Sequence, residues 1–181
     1  TKIAPTQPTS GTGQCVIRGD GTAVLDGGGT AQECMLLTSF RNNLTIQDIK
    51  FQNVLSAGNS RYIQVSAPPS CHIIDCTFDS SVGGENTRGI NIYVGANNSV
   101  FQDFQVTGCT FTNVGTKDPA SDGPACVQLN YDVTDTNFCT GFQVKDNNAT
   151  GCAMFYRASH ANGVATTKDK FIRGLQISGN T

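Results

Sequence analysis

A chain of 181 residues has room for one domain, and its charge is sparse and nearly balanced, with 14% charged residues and a net charge of −2. That balance argues against a nucleic-acid surface, since no Lys/Arg cluster exists to displace counterions from phosphates. No run of about 18 apolar residues exists to span a membrane. The 20 Gly, the lack of Trp and the Asn, Thr and Ser between short apolar runs call for many tight turns.

Residues 1–14, TKIAPTQPTSGTGQ, combine Pro, Gly and Thr with one hydrophobic side chain larger than Ala, and read as an extended lead-in or linker. Next, CVIRGDGTAVLDGGGT predicts two short strands, over 16–17 and 23–25. Gly27-Gly28-Gly29 is not a phosphate loop, because no Lys-Ser or Lys-Thr follows it; it reads as the corner closing a first turn. From there one shape keeps returning: NLTIQDIKF ending at Phe51, SCHIIDCTF ending at Phe78, NSVFQDFQVTGCTFTNV over 98–114, GFQVKDNNA from Gly141 and GLQISGNT from Gly174. Each alternates apolar with small or polar residues, as a strand with one buried face does.

Matching Ile46, Ile73, Val106, Val144 and Ile177 gives spacings of 27, 33, 38 and 33 residues. Between the copies runs a second series: CMLLTSF from Cys34, YIQVSA from Tyr62, GINIYV from Gly89, CVQLNY from Cys126 and AMFY from Ala153. Two strands per period of about 30 residues, without helical periodicity, predict an all-β solenoid of about six turns over 15–181. Ala67-Pro68-Pro69-Ser70 reads as a corner inside the second turn. The two longest loops, 79–89 and 113–125, leave the same corner on adjacent turns and should form a wall. The start at Thr1 and the stop partway through a repeat read as a mature product or a piece of something longer.

The same alignment puts Cys76 and Cys109 at one position of adjacent turns, between Ile49 and Asn147, and pairs Cys126 with Cys152 to within one residue. Neighbouring strands lie about 4.8 Å apart, within the Cα separation a disulfide allows, so stacked buried thiols and a cross-turn disulfide both fit. No CxxC occurs, and only His72 and His160 could join a metal site, so neither metal nor cofactor is expected.

With its repeats and the turn VLDGGGT, the chain resembles the right-handed parallel β-helix proteins of the pectin-lyase-like superfamily over roughly residues 15–181. Asn147 and Asn180 fall at equivalent corners, similar to that family's asparagine ladders. The superfamily includes polysaccharide lyases, polygalacturonase-type hydrolases, uronan epimerases and trimeric phage tailspikes. The resemblance therefore implies an extracellular or virion location, a polysaccharide partner and a homotrimer as one form of assembly. Asn-Thr-Asp, Asp-Asp, Gly-His-Gly and Arg-Ile-Lys are absent, so similarity to polygalacturonases stops at the scaffold.

Chemistry must then come from position. On the second strand series Gln64, Asn91 and Gln128 form one outward row, and Ser66, Tyr93, Asn130 and Tyr156 another. Amides suit paired sugar hydroxyls and an aromatic face suits a pyranose, although any solvated sheet carries polar ladders. Carboxylates for acid and base work would come from the wall: Glu85, with Arg88 beside it, and Asp118 and Asp122 on the neighbouring turn. Asp132 and Asp135, with Arg157 and His160, make a second set, while His72 aligns with the outward Thr45 and Gln105. Asn43, Asn97 and Asn148 begin glycosylation sequons. Two functions follow: a carbohydrate-recognition module, with glycoside hydrolase or polysaccharide lyase activity left open, or a structural or attachment β-helix without chemistry.

Overall fold

A computed structural model describes residues 14–38, 43–55, 60–66, 70–81, 87–94, 100–115, 125–131, 138–160 and 172–181. Three parallel sheets run the length of the molecule. The first joins β1 (Gln14–Arg18), β4 (Asn43–Gln47), β7 (Cys71–Ile74), β11 (Phe104–Thr107), β15 (Gln143–Lys145) and β19 (Gln176–Ser178). The second joins β2 (Val24–Asp26), β5 (Lys50–Gln52), β8 (Thr77–Asp79), β12 (Thr110–Thr112) and β16 (Asn148–Thr150). The third joins β3 (Glu33–Thr38), β6 (Arg61–Ser66), β9 (Arg88–Val94), β13 (Val127–Tyr131) and β17 (Tyr156–His160). A smaller sheet of β10 (Val100–Gln102), β14 (Phe138–Thr140) and β18 (Ile172–Arg173) is added in the later turns.

The chain visits the three sheets in order and then starts again one strand further on, which defines a parallel β-solenoid; among the described residues no helix occurs. The expected alignment holds strand by strand: Ile46 lies opposite Ile73, Ile73 opposite Val106, Val106 opposite Val144 and Val144 opposite Ile177. Two expectations need correction. The sixth turn contributes only β19, so fewer than six turns are complete. Each complete turn also carries at least three strands rather than two, because NLTIQDIKF and its copies bend in the middle.

The bend is one residue wide. Asp48, Asp75 and Asp146 adopt φ of 57°, 51° and 55°, and Gly108 takes the same corner at 68°. Asp tolerates this left-handed conformation better than most residues, and Gly accepts it without steric cost. A second corner follows the second-sheet strands, at Asn53 and Asn113 with φ near 56° and 55°. Gly28 and Gly29, also left-handed, form the expected corner between β2 and β3, where the Asp26 carboxylate accepts from Gly28 N–H at 2.7 Å.

Stacking identical positions builds the interior. Phe51, Phe78 and Phe111 lie ring over ring at centroid separations of 5.1 and 4.8 Å, and Phe104 stacks on Phe142 at 4.9 Å. Buried aliphatic side chains of the first and third sheets close around these rings. Ile49, Cys76, Cys109 and Asn147 follow one another along one corner, as expected: Thr77 N–H reaches Ile49 O, Thr110 N–H reaches Cys76 O and Asn148 N–H reaches Cys109 O. The described cysteines are free thiols.

Candidate functional site

The outward face of the third sheet holds the predicted amides. Along β6, β9 and β13 the inward residues are Ile63 and Val65, Ile90 and Ile92, Val127 and Leu129, all wholly buried. The alternate positions face away from that core. Gln64 lies opposite Asn91 and Asn91 opposite Gln128, so the first expected row is in register. Ser66, Tyr93 and Asn130 form the second.

These amides are not the solvated ladder that the sequence suggests. Gln64, Asn91 and Gln128 are 9%, 4% and 3% exposed, so each polar group must find a partner inside the protein. They do so in one direction. Gln128 Nε2 donates to Asn130 Oδ1 at 3.0 Å, Asn130 Nδ2 to Asn91 Oδ1 at 2.6 Å, Asn91 Nδ2 to Gln64 Oε1 at 2.7 Å and Gln64 Nε2 to Ser66 Oγ at 3.2 Å. A chain with every donor pointing the same way polarises each bond in turn. At its head an acceptor is left over: Gln128 Oε1 is buried and has no hydrogen-bond partner.

Tyr156 departs from its expected place. It lies opposite Val127 on the core side, its ring 5.8 Å from that of Phe142, and Ser159 stands opposite Asn130 instead. AMFY is not itself a strand; β17 begins at Tyr156, so aligning it as a strand's end shifted the row. Arg157, expected at another corner, lies beside Gln128 in the amide row. Arg88 opens β9 opposite Arg61, and Arg61 donates to Glu33 Oε1 at 2.7 Å in an ion pair largely closed to water. Arg61 and Glu33 were legible as members of one repeat position, but neither falls in a motif.

Glu85, Asp118, Asp122, Asp132 and Asp135 lie outside the described residues, as does most of the expected wall. His160 belongs to β17, opposite Tyr131. His72 sits on the outer face of the first sheet, opposite Thr45 and Gln105 as expected, with Nε2 2.9 Å from Asp103 Oδ2. Asn43 and Asn148 are exposed, and Asn97 lies outside the described residues. Among the described residues no group of three or more His, Cys, Asp and Glu could hold a metal ion.

A parallel β-solenoid with an amide-lined outer face is the class of protein that fold and site define. Comparison with protein-family models, with curated proteins and with solved structures finds no match.

Proposed function

We propose that this chain is a carbohydrate-recognition module, extracellular or virion-borne, that holds an extended glycan along the outer face of the third sheet. The observation that carries this reading is the register of Gln64, Asn91 and Gln128 beside Ser66, Tyr93 and Asn130 over three consecutive turns. Strands about 4.8 Å apart repeat these groups along the axis, so a linear polymer meets similar donors and acceptors at every turn. The mutual bonds of the inner amides fix the floor. Half-buried Ser66, Tyr93 and Asn130 then present a hydroxyl, an aromatic face and an amide beside it. The orphaned Gln128 Oε1 calls for a donor such as a sugar hydroxyl.

The pectin-lyase-like resemblance points to polysaccharide as the ligand class and, through the tailspikes, to a depolymerase working as a homotrimer. In this reading Glu85, with Arg88 three residues on in the sequence, and Asp118 and Asp122 are the acid and base candidates. The test is a screen of the purified protein against bacterial capsules, O-antigens and pectins, reading binding and reducing-end release separately. Binding to one glycan, weakened by about 1 kcal/mol in Gln128→Ala, is the expected result. No binding to any glycan offered would overturn it.

One observation favours a structural or attachment β-helix instead. Four amides that bond chiefly to one another already form a stabilising ladder and need no ligand. Under that reading Gln128→Ala lowers stability and no glycan binds.

A further inference from the structure

The amides of the interior and those of the outer face are held in different ways. Asn147 is pinned by backbone on both sides: its Oδ1 accepts from Cys109 N–H at 2.8 Å and its Nδ2 donates to Val106 O at 3.1 Å. Turning that amide over would set donor against donor and acceptor against acceptor. On the third sheet the four bonds run from side chain to side chain, Gln128 to Asn130, Asn130 to Asn91, Asn91 to Gln64 and Gln64 to Ser66 Oγ. Backbone takes no part in them. The last partner is a hydroxyl, which donates as readily as it accepts.

Such a series closes equally well in reverse. The oxygen and nitrogen of an amide are nearly alike in size, so if all four amides turn over, Ser66 donates to Gln64, Gln64 to Asn91, Asn91 to Asn130 and Asn130 to Gln128. The count stays at four. A half-turned series is worse, because somewhere two donors or two acceptors meet in a place where Gln64, Asn91 and Gln128 are 9%, 4% and 3% exposed. The row therefore has two good states and a costly middle. In the state observed, the orphan at the head is an acceptor, Gln128 Oε1, and the proton of half-buried Ser66 is left to donate at the tail. In the other state the Gln128 end offers a donor and the Ser66 oxygen an acceptor.

We propose that this row is a two-state relay that reads the direction of the bound glycan, the ligand being the one assigned above. A sugar hydroxyl that donates to Gln128 Oε1 holds the observed state, and Ser66 then requires an acceptor, a ring or bridging oxygen, two strand spacings or about 9.6 Å further along the axis. A glycan laid the other way meets an unmatched group at one end or must turn the whole row. The two contact points are coupled although no atom of one touches the other.

Side-chain amide NMR on the protein labelled with ¹⁵N and ¹³C tests the relay, because a hydrogen bond passes a small coupling from donor nitrogen to acceptor carbonyl carbon. In the parent, Asn130 Nδ2 should couple to Asn91 Cγ and Asn91 Nδ2 to Gln64 Cδ. Gln128→Glu puts a carboxylate, which only accepts, at the head; Ser66→Lys puts an ammonium, which only donates, at the half-buried tail, where its long stem reaches water. Either change should exchange the couplings along the row, so that Gln64 Nε2 couples to Asn91 Cγ and Asn91 Nδ2 to Asn130 Cγ. A Gln128→Glu protein in which Asn130 turns while Asn91 and Gln64 keep the parent couplings would overturn the proposal. So would two folded variants that both keep the parent direction, or a parent whose couplings run in opposite directions along the row. The couplings are read without glycan, so a relay that fails and a glycan screen that fails are told apart.

Discussion

Replacing Asn147 with Ala tests whether the corner stack is held by its polar groups. Asn147 is 1% exposed and satisfies three partners at once. Its Oδ1 accepts from Cys109 N–H at 2.8 Å, and its Nδ2 donates to Val106 O at 3.1 Å and to Asn180 Oδ1 at 2.9 Å. The Ala variant strands the Cys109 N–H in a dry interior and removes a second donor from the Val106 carbonyl. A buried unsatisfied group costs about 1–3 kcal/mol, so the expected loss is about 1–3 kcal/mol, a sizeable share of the about 5–15 kcal/mol that holds a typical domain. Asn180→Ala should cost less, because Asn180 is only half-buried and water can replace part of what it gives Val144 O and Asn147 N–H. Equilibrium unfolding in denaturant measures both. A loss below about 1 kcal/mol for Asn147→Ala, or a larger one for Asn180→Ala, would refute the reasoning.

Phe78→Ala removes the middle ring of the stack and should cost about 3–5 kcal/mol, read as a shift in denaturation midpoint. Gly89→Ala should cost about 1–3 kcal/mol by the same measurement, because a Cβ there runs into the Cys126 carbonyl oxygen and comes within 2.9 Å of the Phe111 ring. Stability should hold at neutral pH and fall on acidification below about 3.8, the unfolded value of Asp. Asp26 is held low by the Gln52 amide and Asp79 by the Ser81 hydroxyl; such depressed groups stabilise above the unfolded value and lose that contribution as pH falls through the folded one. Denaturation midpoints across that range check it, and Asp79→Asn should shallow the decline.

The repeat made much of the fold legible from sequence alone. Register in a parallel stack is set by which apolar side chain lies over which, so matching Ile46 to Ile73 and onward to Ile177 also fixed the Cys76–Cys109 neighbours, and matching the second series from Cys34, Tyr62, Gly89 and Cys126 fixed the Gln64–Asn91–Gln128 row. What stayed hidden turns on single residues. Asp48 bends a strand through one left-handed residue without disturbing the alternation on either side, so β4 and β5 read as one strand. Tyr156 was misplaced because Met154, Phe155 and Tyr156 form an apolar run, and such a run does not say where its strand begins. Alternation also marked Gln128 as outward-facing, but it carries no information about how closed that face is to water.

The measurement that bears most directly on the glycan reading is a titration followed by the side-chain amide NMR signals of Gln64, Asn91, Gln128 and Asn130, using a glycan that binds in the screen. Saturable shifts in Asn130 and Gln128, passed along the chain to Asn91 and Gln64 and absent from Asn147 and Asn180 in the interior ladder, are the predicted result. Binding that leaves all four outer amides unmoved would contradict it.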